Sequence, residues 1–412
     1  MIELRDYQKV VIEKAIKRIN MGCIAYLACQ TRTGKTIMAL TIAQRCKARK
    51  VLFLTKKKAI QSVGEDKQKI YTDYTIDIIN YEQAFKVKAE YDFVIIDEAH
   101  SFGSFPKPSL RAITVKKLCA GATVLFLSAT PTPESISQIY HQLWLSDKSP
   151  LDVYKNFYRF ADRYVNVKKK IINSMLSVND YSQVTDEFKH KINNIYITAT
   201  QEDAEFNQKI EERFRIVKMS EKTHKYIMLL LRDRCISDSY LGNVTADTPA
   251  KLLQKYHQFC SGSIINDDGT PIITDVSKIK YIHNEFAGKK IAIFYKFKAE
   301  FEIIKSFYLN IAKDATEFNN TDSSVIYAGQ FQSSREGIDL QAADYIVMFN
   351  IDFSAVSYMQ SINRMQSKNR IKPAIVVWIF SDIGLEYQIY DTVKNKQKNY
   401  TSNIFGKLFV KM

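Results

Sequence analysis

The sequence predicts an α/β protein of two lobes, each a parallel sheet wrapped by helices, with a helical insertion between them. Three observations predict it. Short apolar runs alternate with helical stripes from Tyr7 to Leu127. The same rhythm returns from Ile291 to Ile379. Between them, from about residue 146 to 275, the chain is charged, reads as helical and holds few strand candidates. A chain of 412 residues also exceeds what one ordinary core holds. The expected division is a first lobe over 1–145, an insertion over 146–215 and a second lobe over 216–412.

The elements follow in order. Tyr7 to Ile19 carries Val11, Ala15 and Ile19, with Ile12 and Ile16 alongside, an apolar stripe at helical spacing. Cys23 to Ala28 is a short buried strand, and a helix runs from about Lys35 to Lys47. Val51–Leu54, Phe93–Ile96 and Thr123–Leu127 are further strands. Later strands are Ile291–Phe294, Ser324–Tyr327, Tyr345–Phe349 and Ala374–Ile379.

Composition narrows the function classes. Lys and Arg number 59 against 44 Asp and Glu, a net charge of +15. That excess suits a polyanionic partner such as nucleic acid, and equally a solvated basic surface. No apolar run approaches the roughly 18 residues of a membrane span. Six scattered cysteines with no CxxC pair argue against a disulfide framework or a zinc site and fit a reducing cytosol. The N-terminus shows no signal-peptide pattern.

Two motifs carry the chemistry. CQTRTGKT, Cys29 to Thr36, lies between a strand and a helix. Such a turn directs backbone N–H groups at an anion on the helix N-terminus. Lys35 suits the β- and γ-phosphates of ATP, Thr36 supplies a hydroxyl for Mg²⁺, and Gly34 permits the close turn. Thr31, Arg32 and Thr33 complete the loop, and Cys29 stands where the usual pattern begins with glycine. The second motif is Phe93-Val94-Ile95-Ile96 running into Asp97-Glu98-Ala99-His100. The strand delivers paired acids to the sheet's carboxyl edge. Asp97 is placed to hold Mg²⁺ and Glu98 to deprotonate the attacking water.

With these motifs the chain resembles superfamily 2 helicases, and among them the SNF2-like ATPases, especially compact phage-type members. The resemblance spans most of the chain, because motifs stand in the family's order. It implies two RecA-like lobes, with ATP and Mg²⁺ between them. In LRDYQ it sets Gln8 as an adenine reader. Thr55 and Lys56 in LTKK, and Asn80 and Tyr81 in INYE, match motifs that meet the nucleic-acid backbone. His100, with Ser128 and Thr130 of SATP, matches positions that couple nucleotide state to strand binding. KLLQKYHQFCSG, Lys251 to Gly262, resembles the start of an SNF2-type second lobe. SSREGIDL resembles the fifth motif, with Ser333 and Ser334 towards the strand and Gly337 and Asp339 towards ATP. QSINRMQSKNRIKPA resembles the sixth, which adds Gln360, Arg364 and Arg370 to the catalytic candidates.

The sixth motif departs from the family. Two arginines three apart are usual; Arg364 fits the first, but Ser367 takes the second place, with Lys368 and Arg370 just beyond. Either Arg370 replaces the missing finger or Arg364 works alone. SATP is nearer general helicases, and Phe353 stands where tryptophan is common.

The resemblance implies an ATP-driven motor whose lobes close on ATP and part after hydrolysis, tracking duplex DNA through backbone contacts. The alternatives are a strand-separating DNA or RNA helicase and an ATP-gated clamp with low turnover. A monomer in a bacterial or phage-infected cytoplasm, serving phage replication, recombination or repair, fits this reading.

The insertion is less informative. Phe157, Tyr158, Phe160 and Tyr164 near Arg159 and Arg163 form either a helix core or a base-contacting face, and the core is favoured. Lys168-Lys169-Lys170 reads as a solvated turn.

Overall fold

The computed structural model describes residues 3–173, 176–205, 210–331, 338–365 and 373–404. The chain forms two compact units: the first takes the residues up to Glu205 together with those from Lys396, and the second the residues between, which end at Asn395. Ser333, Ser334, Gly337, Ser367, Lys368 and Arg370 lie outside the described residues.

The first unit holds α1 (Asp6–Asn20), β1 (Ala25–Leu27), α2 (Lys35–Arg45), β2 (Lys50–Thr55), α3 (Ile60–Gln68), β3 (Thr75–Asn80) and β4 (Phe93–Ile96). It continues with α4 (Leu110–Cys119), β5 (Thr123–Leu127), α5 (Ile139–Leu143), α6 (Phe157–Tyr164), β6 (Lys168–Asn173), β7 (Leu176–Asp180), α7 (Asp186–Asn193) and β8 (Tyr196–Ile197). Six strands form one sheet in the order β3-β2-β4-β5-β1-β8, and every neighbouring pair is parallel. The central strands are apolar on both faces because helices cover both. On one side Val11, Ile12 and Ala15 of α1 and Met38, Leu40 and Ile42 of α2 pack with Leu27, Phe53 and Ile95.

The second unit opens with β9 (Ile210–Val217), α8 (Glu221–Asp233), β10 (Cys235–Asp238), β11 (Gly242–Thr245), α9 (Pro249–Cys260), β12 (Ser263–Ile265) and β13 (Pro271–Ile273). Then come α10 (Ser277–Glu285), β14 (Ile291–Tyr295), α11 (Lys298–Lys305), α12 (Ala315–Asn320), β15 (Tyr327–Gln330), β16 (Tyr345–Met348), α13 (Ala355–Ile362), β17 (Ala374–Ser381) and α14 (Leu385–Ile404). Its sheet, β15-β14-β16-β17-β9, is also parallel throughout. Strand alternation builds two cores. Phe294, Ile346, Met348, Val376 and Trp378 face one, and Ile293, Val347, Val377 and Ile379 face the other. Both units therefore have the RecA-like α/β architecture.

The stretch between the lobes differs from the expected helical insertion. It contains α6 and α7, but also the antiparallel ribbon β6–β7 and the strand β8, which joins the first sheet beside β1. β9 begins at Ile210 and pairs with β17 along its whole length. Its sequence, IEERFRIV, reads as charged and helical because, among the described residues, one edge of β9 has no neighbour, and an edge strand tolerates Glu and Arg. Glu212 there accepts hydrogen bonds from the Tyr358 and Tyr390 hydroxyls and the Trp378 indole, and Lys394 pairs with it. Within α6, Phe157, Phe160 and Tyr164 are buried and Tyr158 is exposed, as a helix core requires. Lys168-Lys169-Lys170 lies in strand β6 rather than in a turn. β3 was missed because its apolar residues alternate with polar ones at a half-exposed edge, and β15 starts at Tyr327, where the expected strand ended.

Candidate functional site

The expected chemical residues of the first unit collect at the carboxyl ends of its strands, which is where ligands bind in parallel sheets. CQTRTGKT follows β1, Asp97-Glu98 follows β4 and Ser128-Ala129-Thr130 follows β5. β4, β5 and β1 are successive neighbours, so the three loops leave the sheet side by side.

The phosphate loop turns on Gly34, whose φ of 76° opens α2. A Cβ there would lie 2.5 Å from Gln8 Nε2. Gln8 is buried; it donates to the Thr33 carbonyl at 3.2 Å, and its Oε1 accepts from the Arg5 N–H. The Tyr7 hydroxyl donates to the same Thr33 carbonyl at 2.8 Å. Thr33 folds its own hydroxyl onto the Gln30 carbonyl. Arg32 also has positive φ, 64°. Lys35 Nζ reaches back to the carbonyls of Cys29 and Gln30 at 3.1 and 3.0 Å, and Thr36 stands beside it in the first turn of α2. Cys29 is fully buried, its thiol pushed up to about 12 by burial, so it acts as a small packing residue.

A brace across this loop escaped sequence reasoning. The chain leaving β8 passes over it. The Gln30 N–H donates to the Ala199 carbonyl, and the Gln201 N–H donates to Gln30 Oε1 at 2.8 Å. Gln201 Nε2 donates to both the carbonyl and the hydroxyl of Thr31. Gln201 sits 170 residues along the chain from Thr31, and no local pattern marks it.

The acid pair is half-buried and crowded. Thr55, fully buried, donates its hydroxyl to Asp97 Oδ2 at 2.8 Å. Burial and the neighbouring Glu98 charge raise the Asp97 carboxyl above the usual range, against the pull of Thr55 and Lys35. Burial also opposes charge on Glu98, but His100, Lys35 and Lys56 outweigh it and hold that carboxylate below the usual range. The two acids thus differ in proton affinity, and Lys35 acts on both. Glu98 has φ 48°, a left-handed backbone that costs a residue with a side chain about 1–2 kcal/mol. His100 Nδ1 lies 3.1 Å from Glu98 Oε2 and 3.0 Å from Ser128 Oγ, and only the serine contact meets hydrogen-bond geometry. Ser128 Oγ also accepts the Thr130 N–H. The acid pair and the SATP loop are therefore joined through one imidazole.

The donor set suits Mg²⁺. A half-buried carboxylate pushed towards its neutral form is stabilised as an anion by a dication. Mg²⁺ typically takes one or two carboxylates and fills its shell with water and substrate phosphate oxygens. Asp97 and the Thr36 hydroxyl are the residues that would hold it.

Several expected nucleic-acid contacts have structural side chains. Asn80 caps a short turn by accepting from the Gln83 N–H. Tyr81 is buried edge-on against Phe102. The Thr55 hydroxyl serves Asp97, which leaves half-buried Lys56 and exposed Lys57 and Lys58 as the side chains of this loop. In the second unit, Arg364 follows α13, which carries Gln360. Its guanidinium donates to the Ile338 carbonyl at 3.2 Å, and its own carbonyl accepts the Leu340 N–H. The Asp339 carbonyl accepts from Asn319. The fifth- and sixth-motif segments are thus tied to each other.

No helix among the described residues is long and apolar enough to cross a membrane. The family model for the Type III restriction enzyme, res subunit, matches residues 1–63, which include α1, the phosphate loop and β2. Over 189 residues the chain is 22% identical to the Drosophila melanogaster homolog of SWI/SNF-related matrix-associated actin-dependent regulator of chromatin subfamily A containing DEAD/H box 1. That match covers 40% of this chain and 22% of the fly protein. Taken with the geometry above, the two likenesses support a superfamily 2 helicase-like ATPase.

Proposed function

We propose that the protein hydrolyses ATP with Mg²⁺ and uses the cycle to move along duplex DNA. The observation that carries this reading is the shared sheet edge of phosphate loop, acid pair and SATP loop, joined by Lys35 and His100. Lys35 neutralises the β- and γ-phosphates, and loop N–H groups at the start of α2 receive phosphate oxygens. Glu98, held ionised, takes the proton of the attacking water. Mg²⁺, when bound, offsets phosphate charge. Thr36 and Asp97 are the residues that would hold it. His100 relays the acid pair's state to Ser128, and from there to the segments that touch the nucleic acid. Arg364 stabilises charge on the transferring phosphoryl group.

The basic charge and the SNF2-like motifs support duplex DNA as the track. Strand separation is the second reading, and a role in DNA replication, recombination or repair in a phage-infected cell is the setting we favour. Steady-state ATP hydrolysis with and without duplex DNA, single strands and RNA tests the proposal. Duplex DNA should stimulate most, and the effect should fall steeply with salt. Lys35→Ala and Glu98→Gln should each lower kcat by about 10²-fold or more, with ATP binding retained in Glu98→Gln. Arg364→Ala should lower kcat without changing the DNA concentration for half stimulation. Stimulation by RNA but not duplex DNA would overturn the choice of track.

A further inference from the structure

The ribbon β6–β7 has no place in the ATPase chemistry. It is antiparallel, with Lys168 opposite Asp180, Lys169 opposite Asn179 and Ile171 opposite Ser177. Among the described residues no third strand joins it. Lys168, Lys169, Ile171, Ser177, Val178 and Asn179 are all exposed, and Ile171 is 79% exposed. A two-stranded ribbon with neither face covered is marginal in water and is expected to gain from a partner surface.

Its root is fastened. Val165 bridges Val184, and the Asn166 N–H donates to the Gln183 carbonyl at 2.8 Å. The Ser135 hydroxyl donates to the Ser182 carbonyl at 2.7 Å and the Ser137 hydroxyl to the Tyr181 carbonyl at 2.5 Å. Tyr181 packs its ring edge-on against Phe157. Ser135 and Ser137 are buried and closely follow Ser128-Ala129-Thr130. The arm is therefore exposed at Lys168, Lys169, Ile171, Ser177, Val178 and Asn179 but anchored to the segment leaving the SATP loop.

We infer that this ribbon is a duplex-DNA contact that enters the major groove and grips the phosphates through Lys168 and Lys169. Charge complementarity selects the occupant, because three successive lysines lead β6 in a chain of net charge +15. Shape selects the duplex. A B-form major groove admits a two-stranded ribbon, whereas the A-form major groove is too deep and narrow for side chains to read. Ile171, on the same ribbon face as Lys169 and Ser177, presents apolar surface to base edges, where thymine methyls offer apolar contact without demanding a fixed sequence. The inference rests on the proposed action on nucleic acid.

The test is equilibrium binding of labelled duplex DNA and duplex RNA across a salt series, using the full chain and Lys168→Ala/Lys169→Ala. Both substitutions are on exposed side chains, and unchanged melting and basal ATP hydrolysis check the fold. The double variant should bind duplex DNA about tenfold more weakly. Its log K against log salt slope should be shallower by about two, one unit for each phosphate no longer neutralised. Binding to duplex RNA should change much less. Equal DNA affinity and slope in variant and parent overturn the ribbon assignment while leaving the motor reading intact. Failure of the parent to bind any nucleic acid overturns both. A dimer of the parent that the double variant abolishes, seen by sedimentation, assigns the ribbon to a second copy of the chain and overturns the inference.

Discussion

Gln201 Nε2 donates to the carbonyl oxygen and to the hydroxyl of Thr31, each at 3.2 Å, so one side chain from the end of the first unit holds the phosphate loop. The Gln201 N–H holds Gln30 beside it. Removing such contacts leaves the fold and frees the loop. Gln201→Ala should raise the KM for ATP about fivefold, the equivalent of about 1 kcal/mol, with kcat nearly unchanged. Gln201→Glu, which cannot donate, should behave alike. An unchanged KM in both variants would remove Gln201 from the loop's support.

Gly34 faces two separate constraints, its φ of 76° and the 2.5 Å approach of Gln8 Nε2. Gly34→Ala should weaken binding of a fluorescent ATP analogue by tenfold or more. Measured against Gln8→Ala alone, the double variant Gln8→Ala/Gly34→Ala should still bind more weakly, because the left-handed backbone costs about 1–2 kcal/mol whatever side chain faces it. Binding equal to that of Gln8→Ala would mean that the side-chain clash alone matters.

Thr55 is one of the groups pulling the raised Asp97 carboxyl down. Without its hydroxyl the proton is held more tightly. Activity that needs the carboxylate is then lost at higher pH. Thr55→Val should move the acid limb of the kcat/KM profile upward by about one pH unit, whereas Thr55→Ser should not. The acids titrate as a pair, so the limb reports on both. A limb that stays in place in Thr55→Val would contradict the role given to this hydrogen bond.

His257 is buried, hydrogen-bonded through Nε2 to Asn350 Oδ1 at 2.6 Å, and its Nδ1 has no hydrogen-bond partner among the described residues. Burial, followed by the charge of Lys296, pushes the imidazole down to about 3. As pH falls below the unfolded value of about 6.5, the unfolded chain takes the proton first and folding weakens. The loss should run from about 6.5 to about 3, at no more than about 1.4 kcal/mol per pH unit, with no contribution above that window. His257→Gln keeps an amide donor near Asn350 and removes the titration. Urea unfolding at several pH values should show a shallower acid slope for His257→Gln, and parallel curves would refute the assignment.

Much of the chain was legible because the information is local. The phosphate loop depends on a strand, a glycine and a lysine at fixed spacing, and Gly34 and Lys35 open α2 as that pattern requires. The acid pair depends on an apolar strand with two carboxylates at its end, and β4 runs directly into Asp97 and Glu98. Helix α6 was readable as core from its aromatic spacing.

The rest depended on pairing between distant segments, which period and composition do not encode. β8 is two residues long and becomes a strand by lying beside β1. β9 carries charges that suggest a helix, but β17 supplies its hydrogen bonds and Tyr358, Trp378 and Tyr390 satisfy Glu212. Thr55, Asn80 and Tyr81 stand in segments expected from resemblance to meet a nucleic-acid backbone, yet tertiary packing buries their side chains and employs two of them in hydrogen bonds within the lobe. The sequence by itself thus determined which residues can do chemistry, since that depends on side-chain type and near spacing. Only the tertiary structure decided that Gln201 braces Thr31 and that a basic ribbon stands on Ser135 and Ser137, because those contacts exist only once the sheet brings remote loops together.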